Sequence, residues 1–504
     1  MNVKAIGAAL VAAGLTMTAA AQGGSGAAPQ PLLERAIEAM GGRERLASLK
    51  TLKIDAIGHN FALEQSERPE GPWLATYTQR VEERDVSGRR RWVQMQSRNW
   101  NFAGWSPASA MVVAKGVAAR QFGERWLPGA AQDLDDAAEA FELGPERLLL
   151  TAHAAADLRR GASTTLQGVP HDAVTFSWRG RRVTLHLNAW THLPTLLEIV
   201  RPDRLQIWGD VTTKRWYSYW TLERGGLMYP RQITTEWNGL PSGDETVMKI
   251  EIDAALDEAR FAIPADVTAA FEKAKDVPSG LPAMHVDPKR AIDVADGVLQ
   301  LAGSWNVLVV RQPDGLVVIE CPISSRYSTE VLDELKKRYP DVPVKAVVTT
   351  SDAWPHIAGA REYVARRVPI HALDLNVPIL DRLVRAPRST DRDLQASTPQ
   401  SPAWRRIGDR ATIGTGDTRL ELLPIRGELG ERMAAVWMPG RRLLYASDML
   451  QRNRDGSFFM PSMLAEIEAL VRREKLDPER AVAMHLAPTP WPEITAALEK
   501  ARMK

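Results

Sequence analysis

A single cysteine, Cys321, stands in the 504 residues, so no intrachain disulfide is available. Surplus charge is missing as well: 64 basic against 62 acidic side chains leave a formal net charge of +2. That excludes the broad basic surface by which nucleic-acid-binding proteins are recognised. The short runs Arg89-Arg90-Arg91 and Arg179-Gly180-Arg181-Arg182 read as solvated strand edges. No apolar run reaches the roughly 20 residues of a membrane-spanning helix, so the mature chain is expected to have no integral membrane segment. The sequence has no Gly-x-Ser-x-Gly elbow, no Walker loop and no dinucleotide glycine pattern after a strand. With one cysteine and scattered histidines, it offers no nucleophile dyad. Cys321 closes Leu316-Val-Val-Ile-Glu-Cys-Pro322, the end of a buried-looking strand, and reads as a small core residue.

The chain has ordinary globular material, 44% hydrophobic and 25% charged. Its length suits two or three domains rather than one. At the N-terminus Lys4 precedes an apolar run, Ala5 to Leu15, and Ala19-Ala20-Ala21-Gln22 follows. A basic start, a short apolar core and a small-x-small end describe a secretory signal peptide over residues 1–21. The expectation is therefore export, to the periplasm or beyond. Residues 22–31, rich in Gly, Ala and Pro, read as a flexible lead-in.

Residues 32–50 predict a helix, with Leu32, Leu33, Ala36, Ile37 and Met40 at helical spacing and Gly41-Gly42 as the stop. From Thr51 to about Ala262 the period changes to two, as in Ala173-Val-Thr-Phe-Ser-Trp178 and Gln232-Ile-Thr-Thr-Glu-Trp237. That predicts an antiparallel sheet with one wet face, interrupted by a helical patch near 131–160. Met40-Gly-Gly-Arg-Glu-Arg-Leu-Ala-Ser-Leu-Lys-Thr-Leu52 and Gly225-Gly-Leu-Met-Tyr-Pro230 resemble stretches of lipoprotein-carrier-like periplasmic domains. That resemblance implies a β half-barrel over residues 32–272. Residues 273–290, with Pro278, Gly280, Pro282 and Pro288, read as a linker.

From 291 to 504 strands and helices alternate. Val307–Val310 and Leu316–Ile319 flank a Pro-Asp-Gly hairpin signal, and Tyr327–Tyr339 predicts an amphipathic helix. His356–Arg367 predicts a second helix, and residues 384–403 a surface loop. Val347-Val-Thr-Thr-Ser-Asp-Ala-Trp-Pro-His-Ile-Ala-Gly359 resembles the signature of the metallo-β-lactamase superfamily, where a strand ends in His-x-His-x-Asp-His. Alternate residues at a strand end point the same way, which lets two imidazoles grip one metal. Here the four positions read Ser351, Ala353, Pro355 and His356. Three later segments resemble the family's remaining ligand motifs and follow in its order. Leu423-Pro-Ile-Arg-Gly-Glu-Leu429 carries Leu429 where a histidine belongs, Leu443-Leu-Tyr-Ala-Ser-Asp448 keeps Asp448, and Val482-Ala-Met-His485 keeps His485.

The resemblance implies an α+β chain: an antiparallel half-barrel-like domain, then an αββα metallo-β-lactamase-like sandwich. It also implies a degenerate site. Ser351, Ala353 and Leu429 replace the three histidines of the first metal position, leaving His356, Asp448 and His485 as residual ligands. Two histidines and a carboxylate can hold one zinc with an open position, or iron as a facial triad. Glu428 adjoins Leu429 and reads as a solvated side chain, and Asp352 is expected to face away from the site. The expectation is an exported, non-hydrolytic binding or scaffolding protein with no metal or a single weakly held zinc. Its partner would be a small molecule or a periplasmic protein. The alternative is a mononuclear metal-dependent hydrolase using His356, Asp448 and His485.

Overall fold

The computed structural model describes residues 28–63, 71–99, 104–203, 207–277, 281–453 and 455–503. The expected signal peptide lies outside these, as do most of the lead-in and residues 278–280 of the expected linker. Two helices open the chain, α1 (Gln30–Ala39) and α2 (Arg43–Ser48), where a single one was expected over 32–50. The break has a steric cause. Gly41 and Gly42 sit at φ +117° and +90°, and a Cβ on Gly41 would lie 2.1 Å from the Gly226 carbonyl oxygen.

The period-two segment forms β1 (Thr51–Phe61), β2 (Ala75–Asp85), β3 (Arg90–Arg98), β4 (Ser109–Ala114), β5 (Val117–Phe122) and β6 (Arg125–Pro128). Two helices interrupt it, α3 (Ala131–Glu142) and α4 (Leu148–Ala154). The sheet resumes with β7 (Arg159–Arg160), β8 (Thr164–Leu166), β9 (Val169–Trp178) and β10 (Arg181–Asn188). It ends with β11 (Pro194–Pro202), β12 (Asp210–Leu222), β13 (Met228–Trp237) and β14 (Leu240–Ile252). These form one 14-stranded sheet in the order β6-β5-β4-β3-β2-β1-β14-β13-β12-β11-β10-β9-β7, with β8 beside β9. Leu33 and Ile37 of α1, Leu46 of α2 and Leu149 of α4 share a core with Leu52, Ile54, Val183 and Leu197 of the strands. A last helix, α5 (Ala265–Ala274), packs Phe271 with Val113 and Val117 at the other end.

The second half begins with β15 (Ile292–Ala295), β16 (Val298–Leu301), β17 (Val307–Gln312) and β18 (Gly315–Ile319). Then come α6 (Ser325–Arg338), β19 (Val344–Val348), α7 (Trp354–Ile357), α8 (Ala360–Ala365) and β20 (Ile370–Leu373). α9 (Val377–Arg385), α10 (Leu394–Ser397) and β21 (Trp404–Ile407) complete a seven-stranded sheet in chain order. A six-stranded sheet follows, also in chain order: β22 (Ala411–Ile413), β23 (Leu420–Pro424), β24 (Ala434–Met438), β25 (Leu443–Tyr445), β26 (Arg480–Ala483) and β27 (Leu486–Pro490). α11 (Pro461–Arg473) precedes β26 and α12 (Trp491–Arg502) closes the chain. One core, with Leu308, Val317 and Val348 from the first sheet and Leu422, Val436 and Val482 from the second, joins the two sheets face to face. On the far side of the first sheet, Val331 of α6, Tyr363 of α8 and Leu380 of α9 pack with Val318 and Val347. On the far side of the second, Ile467 of α11 and Leu498 of α12 pack with Leu444 and Ala481. The fold is mixed α and β with large antiparallel sheets.

Three more sequence expectations need correction. α6 starts before Tyr327 because the Ser324 hydroxyl caps it, accepting from the Tyr327 N–H at 3.1 Å. The helix expected over 356–367 is two short helices parted at Gly359. There the chain crosses so close to α6 that a Cβ would lie 2.1 Å from Ser328 Oγ. Residues 384–403 are not simply a surface loop. Arg388 is buried, and Asp393 holds the buried Arg361 guanidinium at 2.5 and 2.9 Å. Its polar side chains bond to buried or distant parts of the chain, Asp393 to Arg361 and Thr390 to Asp210, where composition alone reads contact with water. The same segment meets the first half. The Asp210 N–H donates to the Pro387 carbonyl at 2.7 Å, and Ile207, Trp208 and Val211 enter the core of the seven-stranded sheet.

A buried ion-pair cluster at the strand ends

β18 is buried along its length and carries the chain to Glu320, a fully buried carboxylate at φ +81°. β19 lies parallel to β18 and leads into Thr349-Thr350-Ser351. From the second sheet, β25 leads to Ser447 at φ +52° and then Asp448, and its parallel neighbour β26 leads to His485. α7 brings His356 in from the side. The carboxyl ends of parallel strands are where α/β folds assemble sites. Two non-glycine residues in the left-handed region at one such point mark a backbone held against its preference.

The three residual candidates from the sequence come together, with Glu320 as a fourth. His356 is fully buried, with Nδ1 3.0 Å from Glu320 Oε2 and Nε2 2.7 Å from Asp448 Oδ2. His485 Nε2 is 3.3 Å from Asp448 Oδ1. Neither contact of His356 is angled as a good hydrogen bond, so the imidazole is held by proximity of charge. Glu320 is held from its other side by the Thr350 hydroxyl and by Tyr445 Oη at 3.1 Å; Thr350 also reaches Ser447 Oγ at 2.7 Å. Burial alone pushes the His356 pKa down, but Asp448 and Glu320 outweigh it and hold it well above the usual range. Burial likewise pushes the Asp448 carboxyl up, and the His356 charge more than reverses it. His485 is shifted down by its own burial.

This arrangement does not fit a metal. A zinc with bonds of about 2.0–2.1 Å in a tetrahedral site keeps its ligand atoms roughly 3.3 Å apart. The His356 to Asp448 separation, 2.7 Å, is that of a direct ion pair. With its pKa held up by Asp448 and Glu320, the His356 imidazole keeps a proton on each ring nitrogen, and in that form it has no lone pair for a cation. Among the described residues, no group of three or more His, Cys, Asp or Glu side chains is disposed to hold a metal ion. Ser351 Oγ is turned into its own chain, accepting from the Ala353 N–H at 3.1 Å. The Leu429 and Gly430 N–H groups are held by the Glu466 carboxylate, each at 2.9 Å, and Glu428 is exposed. Asp352 is buried. At the edge of the cluster, Trp305 packs edge-on against Trp354 and His485, with ring centres 4.9 and 5.9 Å apart.

Sequence reasoning missed Glu320, Thr350, Tyr445 and Ser447. One signal was available for Glu320: a lone carboxylate closing a run of four aliphatic residues, where burial requires a partner.

No protein-family model matches the chain, and no curated protein does. Among solved structures it is similar to a metallo-β-lactamase from Pontibacter korlensis at 16% identity and a TM-score of 0.34, over 44% of this chain and 100% of that one. A metallo-β-lactamase from Erythrobacter litoralis aligns at 14% identity and a TM-score of 0.33, over 42% of this chain and 96% of that one. The inverting sec-alkylsulfatase Pisa1 from Pseudomonas sp. aligns at 16% identity and a TM-score of 0.32, over 42% of this chain; the match spans 40% of the alkylsulfatase.

Proposed function

We propose that this is an exported, non-hydrolytic binding protein. Its residues 291–504 would form a metallo-β-lactamase-like αββα domain in which an ion-paired Glu320–His356–Asp448 cluster stands where the family holds metal. Residues 32–272 would form a half-barrel-like domain, 273–290 the linker, and 1–21 a cleaved leader. The ordered motifs at 347–359, 423–433, 443–448 and 482–488 support the family reading, together with two face-to-face sheets covered by helices. One observation carries the functional reading. His356 has a carboxylate against each ring nitrogen, while Ser351, Ala353 and Leu429 supply no imidazole. Two-metal hydrolysis needs a hydroxide bridging two ions, and a mononuclear hydrolase needs His356 free to bind one. The donor set Glu320, His356, Asp448 and His485 speaks against both. Elemental analysis of the purified chain after zinc loading and desalting tests the reading, run beside hydrolysis of a chromogenic β-lactam. The expected result is well under one zinc per chain and no turnover. One or two retained zinc ions with turnover would establish the hydrolase instead.

A further inference from the structure

A cavity of about 670 Å³ opens within the N-terminal half, lined by residues between Asn60 and Glu245. Its walls come from β11 to β14 and β1 to β3, seven consecutive strands of the sheet, and from α3. α3 ties the two ends of this arc together. At one end Arg84 donates to the Ala140 carbonyl at 2.9 Å. At the other, Arg201 and Arg215 both bond Glu139. Arg80, Glu82 and Arg84 pair across the strands with Ala56, Ile54 and Leu52, on the face that elsewhere forms the apolar core. A face that could have continued as core is therefore charged where the cavity lies, which costs desolvation unless every charge is met.

The charges are met on one side only. On the β2–β3 side three guanidiniums, Arg80, Arg84 and Arg91, face three carboxylates, Glu82, Glu146 and Glu245. On the β11–β12 side Arg201 and Arg215 converge on a single oxygen, Glu139 Oε1. Arg201 Nε is buried with no hydrogen-bond partner, and so is the hydroxyl of Thr213, which is 3% exposed and stands two residues before Arg215. The acidic residues Asp136, Asp203 and Asp244 also line the cavity, but they are engaged, Asp244 by His59 Nδ1 at 2.8 Å. Asp136 accepts from Gln132 Nε2 at 3.1 Å, and Asp203 accepts from the Ile207 and Trp208 N–H groups at 2.6 and 2.5 Å. Phe61, Met95, Val211, Ile233 and Trp237 supply apolar wall.

We propose that this cavity binds an organic oxyanion, a molecule with one carboxylate, sulfonate or phosphate group on an apolar body. The oxyanion meets Arg201 and Arg215 and accepts from the Thr213 hydroxyl, while the body lies against the apolar wall. Guanidinium planes match such groups with paired N–H donors, and the second positive charge beside Glu139 acquires its counterion. The inference does not depend on the reading of the His356 cluster.

The test is fluorescence titration of the full mature chain with 8-anilinonaphthalene-1-sulfonate, an aryl sulfonate, with decanoate and decanol as competitors. Saturable binding is expected, displaced by decanoate and not by decanol at equal concentration. Arg201→Gln should weaken it by about tenfold or more, and Thr213→Val, which keeps the side-chain shape, by about fivefold. Thermal melting of both variants separates lost binding from lost folding, and Thr213→Val decides the matter if Arg201→Gln does not fold. Equal displacement by decanol, or affinity unchanged in Thr213→Val and in folded Arg201→Gln, overturns the proposal and leaves a merely apolar cleft.

Discussion

Replacing His356 with alanine takes the cation from between two carboxylates that cannot escape into water. Glu320 and His356 are fully buried, and the Asp448 side chain is only 15% exposed. Breaking a buried ion pair by removing one partner typically costs about 3–5 kcal/mol, because the stranded charge has no solvent to turn to. Two features keep the cost inside that range. Glu320 retains the hydroxyls of Thr350 and Tyr445, and Asp448 retains His485 at 3.3 Å. The expected loss is therefore about 4 kcal/mol, or roughly 8–16 °C in Tm for a unit of this size. Urea unfolding followed by tryptophan fluorescence measures it. Adding Glu320→Gln to His356→Ala should recover about half the loss, since it removes one of the stranded charges. Chelator should leave the wild-type melting curve unchanged. A loss under about 1 kcal/mol, or a second substitution that deepens it, would refute the reasoning.

Three further outcomes follow from the packing. His371 has its pKa pushed down to about 4, first by burial and then by Arg405, so the folded chain binds its proton less readily than the unfolded chain does. Its penalty is absent above pH about 6.5 and grows as pH falls towards 4, and His371→Gln should flatten the decline in urea midpoint across that window. Gly359→Ala should destabilise by about 1–3 kcal/mol in the same assay, because its Cβ meets Ser328 Oγ at 2.1 Å and the Ser324 carbonyl at 2.8 Å. Limited proteolysis within 273–290 should give two fragments that still co-elute on gel filtration, because Trp208 and Val211 share a core with Leu380 and Leu383; separate elution would count against that shared core.

The period-two segments were legible as strands where burial alternates along them, as at Leu52, Ile54 and Ala56 of β1. Helix limits were less so. Gly41-Gly42 was visible as a stop, yet the restart at Arg43 depends on the close approach to Gly226. Gly359 breaks the second expected helix for a similar reason, contact with α6, and no local signal announces it. At the site, motif order brought His356, Asp448 and His485 together, but a count of donors treats each as facing a metal. The reversal of roles comes from Glu320, which lies 36 residues before His356 and reaches it only through the parallel pairing of β18 and β19. The arginines of the cavity were invisible for a related reason. Arg91 belongs to a run that reads as a solvated edge, and only the sheet register sets it on buried Glu82.

The proposed function rests on a salt-bridged His356 that takes up no metal, and anomalous diffraction at the zinc edge addresses it directly. Crystals of the purified chain, grown with millimolar zinc, would be measured above and below the edge. The account predicts no anomalous peak at the cluster, with His356 Nε2 still in contact with Asp448. A peak about 2.0–2.1 Å from His356 Nε2 and His485, with Asp448 bound to the same ion, would contradict it.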